Sequence, residues 1–166
     1  MLHCRGDCRG DWRDGRVANS RLARREDGPS ARSGRSGIIV PQAIIDTILA
    51  EAQAAFPCEC CGILLGEGAR IHAILPAANV HPRPETRFEI DPQALVDAHR
   101  AARRGGPQVL GYYHSHPAGP AEPSATDRAQ AAHDGAIWAI AGEQGVRLWR
   151  DGQGGFAPLS YSLASD

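Results

Sequence analysis

Two histidines separated by one residue, His114 and His116, precede Asp127 within the stretch GYYHSHPAGPAEPSATD. On an extended segment, residues i and i+2 project from the same face, so both imidazoles leave together while Ser115 points the other way. A loop containing Pro117, Gly119, Pro120 and Pro123 then turns the chain and brings the carboxylate back. Two imidazoles and one carboxylate supply three protein ligands and leave a fourth tetrahedral position for water, the arrangement of catalytic rather than structural zinc. The spacing therefore predicts one Zn2+ per chain, held by His114, His116 and Asp127. The other reading of the His-x-His pair alone is two partly exposed strand histidines, because histidine is an ordinary residue of intermediate burial; the downstream Ser and Asp weigh against it.

Ser124 and Asp127 also read as local structure. Ser124 at the N-cap and Asp127 at N3 form a capping-box variant that would open a helix from Ala125 to His133. The two roles are compatible: an Asp in a first helical turn complements the helix dipole and can still face a metal.

His-Ser-His-Pro, Ser124-x-x-Asp127 and an upstream Glu59 in PCECCGILLG together resemble the JAMM (MPN-domain) zinc metalloproteases. Within that family the chain is most similar to short bacterial members such as the peptidase that removes cysteine from a sulfur-carrier protein. The resemblance spans about Ile38 to Leu163. It implies a deaminase-like three-layer α/β/α fold with a mixed central sheet. It implies that Glu59, which by itself would read as a solvated charge beside a strand, accepts a proton from the attacking water and passes it to the leaving nitrogen. Ser124 matches the family's serine that donates a hydrogen bond to the developing oxyanion. The implied substrate is an amide or isopeptide at the C-terminus of a ubiquitin-like or sulfur-carrier protein. The chain is short between its motifs and shows no insertion for docking a second large protein, which favours release of an amino acid such as cysteine. Two alternatives stand beside this one, a catalytically silent MPN scaffold that binds partners and a zinc hydrolase of another small amide. Scaffolds of the family typically lose ligands, whereas Glu59, His114, His116 and Asp127 are all present.

Pro57-Cys58-Glu59-Cys60-Cys61 also matches the P-C-x-x-C half of the zinc deaminase signature, which needs an H-x-E upstream. No H-x-E occurs in the chain, and GILLG after the cysteines reads as strand where a deaminase has helix. Cys58, Cys60 and Cys61 are too close in sequence to reach one tetrahedral metal comfortably, and Cys61 reads as a small buried hydrophobe.

The elements that must position these groups follow from pattern. Ile38 to Val40 is a short strand. Pro41 suits the first position of a helix whose apolar face is Ile44, Ile45, Ile48, Leu49 and Ala52, ending near Phe56-Pro57. Cys60 to Leu65 and Ala69 to Leu75 form a hairpin about a turn at Gly66 to Gly68. A loop covers Asn79 to Pro84, a short strand Arg87 to Ile90, and a helix capped by Asp91 runs to about Arg104, stopped by Gly105-Gly106. Gln108 to Tyr113 is a strand running into His114, so the histidines sit at a strand's C-terminal end, where open α/β sheets commonly build sites. Strands Ala136 to Ala141 and Val146 to Arg150 follow, and Phe156 to Leu163 is an edge strand or loop. Alternating strands and helices predict an α/β domain with a mixed sheet.

At 166 residues and 42% hydrophobic composition, one globular domain accounts for the chain. The net charge of −1 hides an asymmetry, with residues 1–36 carrying +4 and residues 37–166 carrying −5. All 18 basic residues are Arg, which reflects GC-rich coding composition and leaves no side-chain amine for isopeptide attachment. Residues 1–36 lack a core-forming pattern and read as a disordered Arg-rich tail, leaving 37–166 as the metalloprotease domain. A start codon assigned too far upstream would produce the same stretch. It has neither the apolar region of a secretory signal nor the acid-poor composition of a transit peptide. Its one aromatic, Trp12, gives no interleaving for nucleic acid, and His3, Cys4 and Cys8 make no convincing metal site. Five cysteines without an export signal predict reduced thiols and a cytoplasmic protein, and no run approaches the roughly 20 apolar residues of a membrane span. The sequence carries no sign of oligomeric state. Deleting residues 1–36 should leave the melting temperature and the metal content of the remaining chain unchanged; a large fall in melting temperature on thermal unfolding would show that the segment packs on the domain.

Overall fold

The computed structural model describes residues 37–164; the N-terminal stretch with His3, Cys4, Cys8 and Trp12, together with the tail assignment made for it, lies outside the described residues. Chain order gives β1 (Ile38–Pro41), α1 (Gln42–Ala55), β2 (Cys61–Glu67), β3 (Arg70–Ala77), α2 (Pro92–Arg103), β4 (Gln108–Ser115), α3 (Ala125–Gln130), β5 (Ile137–Gly142), β6 (Gly145–Gly152), β7 (Gly155–Leu159) and β8 (Tyr161–Ala164).

The strands form one sheet of eight in the order β7-β6-β5-β4-β2-β3-β1-β8. Pairings β4–β5, β1–β3 and β1–β8 are parallel and the rest antiparallel, the mixed sheet that alternating elements predict. The central strands β2 and β5 read as continuous apolar runs because both faces of the sheet are covered. In β2, Leu64 joins the layer formed with Ile44, Ile45 and Ile48 of α1, while neighbouring Ile63 joins Ala98 of α2 on the opposite face. Successive strand side chains point to opposite faces, so this alternation produces the three-layer α/β/α arrangement.

The apolar face expected for α1 is the buried one, with Leu49 and Ala52 packed beside the three isoleucines. Pro41 is the N-cap and last residue of β1 rather than the first helical residue, its ψ of 140° being extended. The β2–β3 turn is tighter than expected, because Gly68 with φ +56° adopts the left-handed conformation and lets Glu67 stay in the ladder against Arg70. The strand expected over Arg87 to Ile90 is absent; this stretch keeps a single bridge, Asn79 to Ile90, since the Asn79 side chain takes up the backbone groups of Arg87 and Glu89. The helix expected to reach His133 ends at Gln130, because the buried carboxylate of Asp151 accepts from His133 N at 2.8 Å and pairs with its ring at 3.0 Å, pulling the chain out of helix. α2 begins as expected, with Asp91 Oδ1 accepting from Gln93 N at 2.9 Å.

The segment from Phe156 to Leu163 divides into two edge strands at opposite ends of the sheet, with only Ser160 between them. A one-residue connection between opposite edges requires the sheet to curl until those edges approach. Tyr161 Oη donates to Val146 O of β6 at 3.2 Å across that seam. Among the described residues, no helix is long and apolar enough to cross a membrane.

Tyr113, fully buried in β4, donates its hydroxyl to Glu51 Oε2 of α1 at 2.5 Å, tying the helix to the strand that carries the histidines. Burial raises the Glu51 pKa, opposed by this bond. Tyr113→Phe removes the donor and leaves a half-buried carboxyl, so urea unfolding should show a loss of about 1–3 kcal/mol.

Candidate metal centre

Because β2 and β4 run antiparallel with Cys61 opposite His114, the entrance to β2 lies beside the exit of β4. Two further bonds extend the contact past the ladder: Ser115 N donates to Cys60 O at 3.1 Å and Cys60 N donates to Ser115 Oγ at 2.9 Å. Ser115 thus faces away from the histidines, as alternation requires, and fastens the segment bearing Glu59. His116 leaves the strand while donating its backbone N–H to Ala141 O of β5 at 2.7 Å.

The two imidazoles converge. His114 Nε2 and His116 Nε2 lie 3.1 Å apart, and Asp127 Oδ2 lies 3.5 Å from the first and 3.3 Å from the second. A tetrahedral ion with arms of about 2.0–2.1 Å separates its ligands by roughly 3.4 Å, so these three edges fit such an ion. His116 Nδ1 faces Pro120 O at 2.9 Å. A carbonyl can only accept, so Nδ1 carries the proton and Nε2 turns a lone pair toward the centre. The His114 ring is held differently. Its Nδ1 has no hydrogen-bond partner among the described residues, and its orientation comes from packing. Phe88 stacks on it at 4.3 Å and 18°, and Trp138 meets it edge-on at 5.7 Å. His114 is fully buried, which disposes of the partly exposed alternative for that residue.

Asp127 is delivered by a complete capping box. Ser124 Oγ accepts from Asp127 N at 3.1 Å, and Ser124 N donates to Asp127 Oδ2 at 2.7 Å. A helix of six residues is too short to stand by propensity, so α3 depends on this cap and on its buried aspartate. Burial raises the Asp127 pKa, but hydrogen bonds with His114 and His116, the charge of His114 and the Ser124 bond outweigh it and hold the carboxyl ionised well below the usual range. Burial lowers the pKa of His114 in spite of Asp127. At His116 burial also lowers, yet Asp127 and the Pro120 carbonyl prevail and raise it. Neutral imidazole and ionised carboxylate are the forms that bind metal.

Glu59 is 7% exposed and lies within the fields of His116 and Asp127. Burial pushes its pKa up to about 7, with His116 pulling down and Asp127 pushing further up. Ser124 uses a lone pair in the cap, which leaves its O–H available as a donor. The structure thus brings His114, His116, Asp127 and Ser124 into direct contact and sets Glu59 close by. The cysteines stay out of it. Among the described residues the His/Cys/Asp/Glu group able to share an ion is His114, His116 and Asp127. Burial raises the Cys60 thiol to about 11 and the Cys61 thiol to about 12.

Sequence reasoning missed the carbonyl of Pro120, the ring of Phe88 and the carboxamide of Asn79. The first is a backbone group and carries no sequence signal. Phe88 falls in the stretch read as a short strand, Arg87 to Ile90, where an aromatic is an ordinary residue and points to no particular partner.

Gly142 makes the Pro120 contact possible. A Cβ there would lie 2.4 Å from Ala121 N and 2.6 Å from the Pro120 carbonyl carbon. Gly142→Ala should displace this loop, loosen the bond to His116 Nδ1, and weaken metal binding by roughly 10–100-fold in competition with a chromogenic chelator.

Residues 41–152 match the sequence family described as prokaryotic homologs of the JAB domain. A desampylase from Haloferax volcanii is 37% identical over 106 residues, covering 60% of this chain and 76% of that one. A probable TtuB-protein conjugate cleaving protease from Thermus thermophilus is 36% identical over 118 residues, covering 70% and 78%. The solution structure of a protein from Desulfitobacterium hafniense superposes with a TM-score of 0.69 at 28% identity, covering 78% of this chain and 94% of that one.

Proposed function

We propose, for a chain that belongs to the prokaryotic branch of the JAB-domain (JAMM, MPN) family, that it is a zinc peptidase. It hydrolyses an amide bond at the C-terminus of a ubiquitin-like or sulfur-carrier protein and releases an amino acid such as cysteine. The observation that carries this reading is the trio of ligand atoms 3.1, 3.3 and 3.5 Å apart, with a tautomer-fixed histidine and a protonatable carboxylate beside it. The relatives that act on carrier conjugates by name support the substrate class.

Zinc bound by His114, His116 and Asp127 would polarise the scissile carbonyl and make a water acidic near neutral pH. The chain's own groups do the rest. Glu59, with a proton affinity near 7, takes the proton of the attacking water and returns it to the leaving nitrogen. Ser124 Oγ–H donates to the oxygen on which negative charge develops, a role of roughly 3 kcal/mol where such donors have been removed. Asp127, fixed by its cap, presents Oδ2 to the point that both histidine Nε2 atoms face.

The name of the Thermus relative favours a second reading of the leaving group, a lysine side chain of another protein. Two conjugates separate the readings: a carrier joined to cysteine through its C-terminal carboxyl, and the same carrier joined to a protein lysine. Product masses decide which is cut; cleavage of neither would sink the peptidase reading and leave the scaffold.

The two carboxylates should differ. Glu59→Gln should retain one equivalent of zinc and the fold while turnover falls by roughly 100-fold or more, whereas Asp127→Asn should purify with little zinc. In the wild type, kcat/KM should fall on acidification as Glu59 takes up a proton, with a midpoint above 4.5 because burial disfavours its charge. Elemental analysis and pH–rate profiles measure both. A zinc-free Glu59→Gln protein, or one that turns over at the wild-type rate, would overturn the assignment.

A further inference from the structure

The 79–90 loop grips the backbone of Glu59 from both sides. Asn79 Nδ2 donates to Glu59 O at 3.0 Å and to Arg87 O at 3.0 Å, while its Oδ1 accepts from His81 N and Glu89 N, each at 3.1 Å. A carboxamide has two donors and two acceptor lone pairs, and all four are used. On the other side, Glu59 N donates to Pro84 O at 2.7 Å. The same loop carries Phe88, whose ring lies on His114. Asn79 therefore fixes a closed loop that holds Glu59 at one point and the His114 ring at another.

Residue chemistry makes this demand specific. Aspartate would keep both acceptors for His81 and Glu89 but present a negative oxygen to the two carbonyls that now receive hydrogen bonds. Glutamine would push the amide one methylene too far. Glu59 sits just before β2, where no ladder bond restrains it, so its placement comes from this clamp and from the Cys60–Ser115 pair.

We propose that Asn79 is a positioning residue for Glu59: its carboxamide ties the Glu59 backbone to the 79–90 loop and so sets the carboxylate at the distance its proton transfer needs. This rests on the peptidase reading in which Glu59 moves the proton. Asn79 acts on the proton transfer through Glu59; its hold on the loop bearing Phe88 would register separately, as a change in zinc content.

The test is a double-mutant cycle on whichever of the two carrier conjugates the wild-type protein cleaves, with zinc content measured throughout. Asn79→Asp should keep its zinc and its KM within about twofold and lose roughly 10–100-fold in kcat, as expected for a misplaced catalytic group. In the Glu59→Gln background the same substitution should lower the residual rate no further, because the group it positions is gone. An unchanged kcat, an equal loss in both backgrounds, or loss of zinc would overturn the proposal and leave Asn79 a loop-folding residue. If instead Glu59→Gln itself turns over normally, the peptidase reading fails whatever Asn79 does. Amide exchange of the wild-type protein decides the matter should Asn79→Asp not fold: the Glu59, His81 and Glu89 amides should be protected and open together, and a Glu59 amide exchanging as fast as exposed loop amides would refute the clamp.

Discussion

The register of β2 on β4 is the constraint on which the rest depends. With Cys61 opposite His114, the chain entering β2 runs beside the chain leaving β4, so a carboxylate and an imidazole pair separated by 55 residues or so of sequence share one end of the sheet. A slip of one residue would turn every side chain to the opposite face. Tyr113 and Leu64 would leave the α1 layer, and His114 would point where Tyr113 now packs. Several features guard against this. Cys60 and Ser115 exchange two hydrogen bonds just past the ladder, Tyr113 is bonded to Glu51 of α1, and both faces are buried. The curl of the sheet contributes too, since the one-residue link at Ser160 ties its two edge strands to each other.

A polar cluster at the edge of so apolar a layer has to be satisfied from all directions. Ionised Asp127 at 3% exposure is tolerable because the Ser124 backbone N–H donates to it at 2.7 Å, and a proton or a cation shared with the two facing histidine nitrogens offsets its charge. The same contacts that make the buried charge affordable aim the ligands. At the start of α3 stability and function therefore share hydrogen bonds: the cap that opens this short helix also fixes Asp127.

Local patterns were readable and long-range ones were not. His114, His116, Ser124 and Asp127 stood out because period-two spacing and the capping box are local rules, and the structure brings all four together. Glu59 was found through family resemblance, since nothing in PCECC reveals that it will lie beside residues far along the chain. The overlong α3 and the missing 87–90 strand failed for one reason: a side chain from elsewhere, Asp151 in one case and Asn79 in the other, captured backbone groups that regular structure would have used. Phe156 to Leu163 reads as an edge strand or loop, but its division between opposite edges reflects sheet closure, which no window of sequence contains.

The cysteines beside Glu59 show how the fold keeps a nitrogen and oxygen site free of sulfur. A thiol binds metal as thiolate, and thiolate formation is what burial opposes. Cys60 packs against the α1 layer and Cys61 belongs to the α2 layer, so alternation along the chain divides them between faces. Their pKa values of about 11 and 12 keep both protonated at neutral pH. The sequence places a tempting sulfur cluster next to the Glu59 carboxylate. Strand geometry and desolvation together make those sulfurs part of the core, and the two imidazoles and Asp127 are left as the set that faces one point.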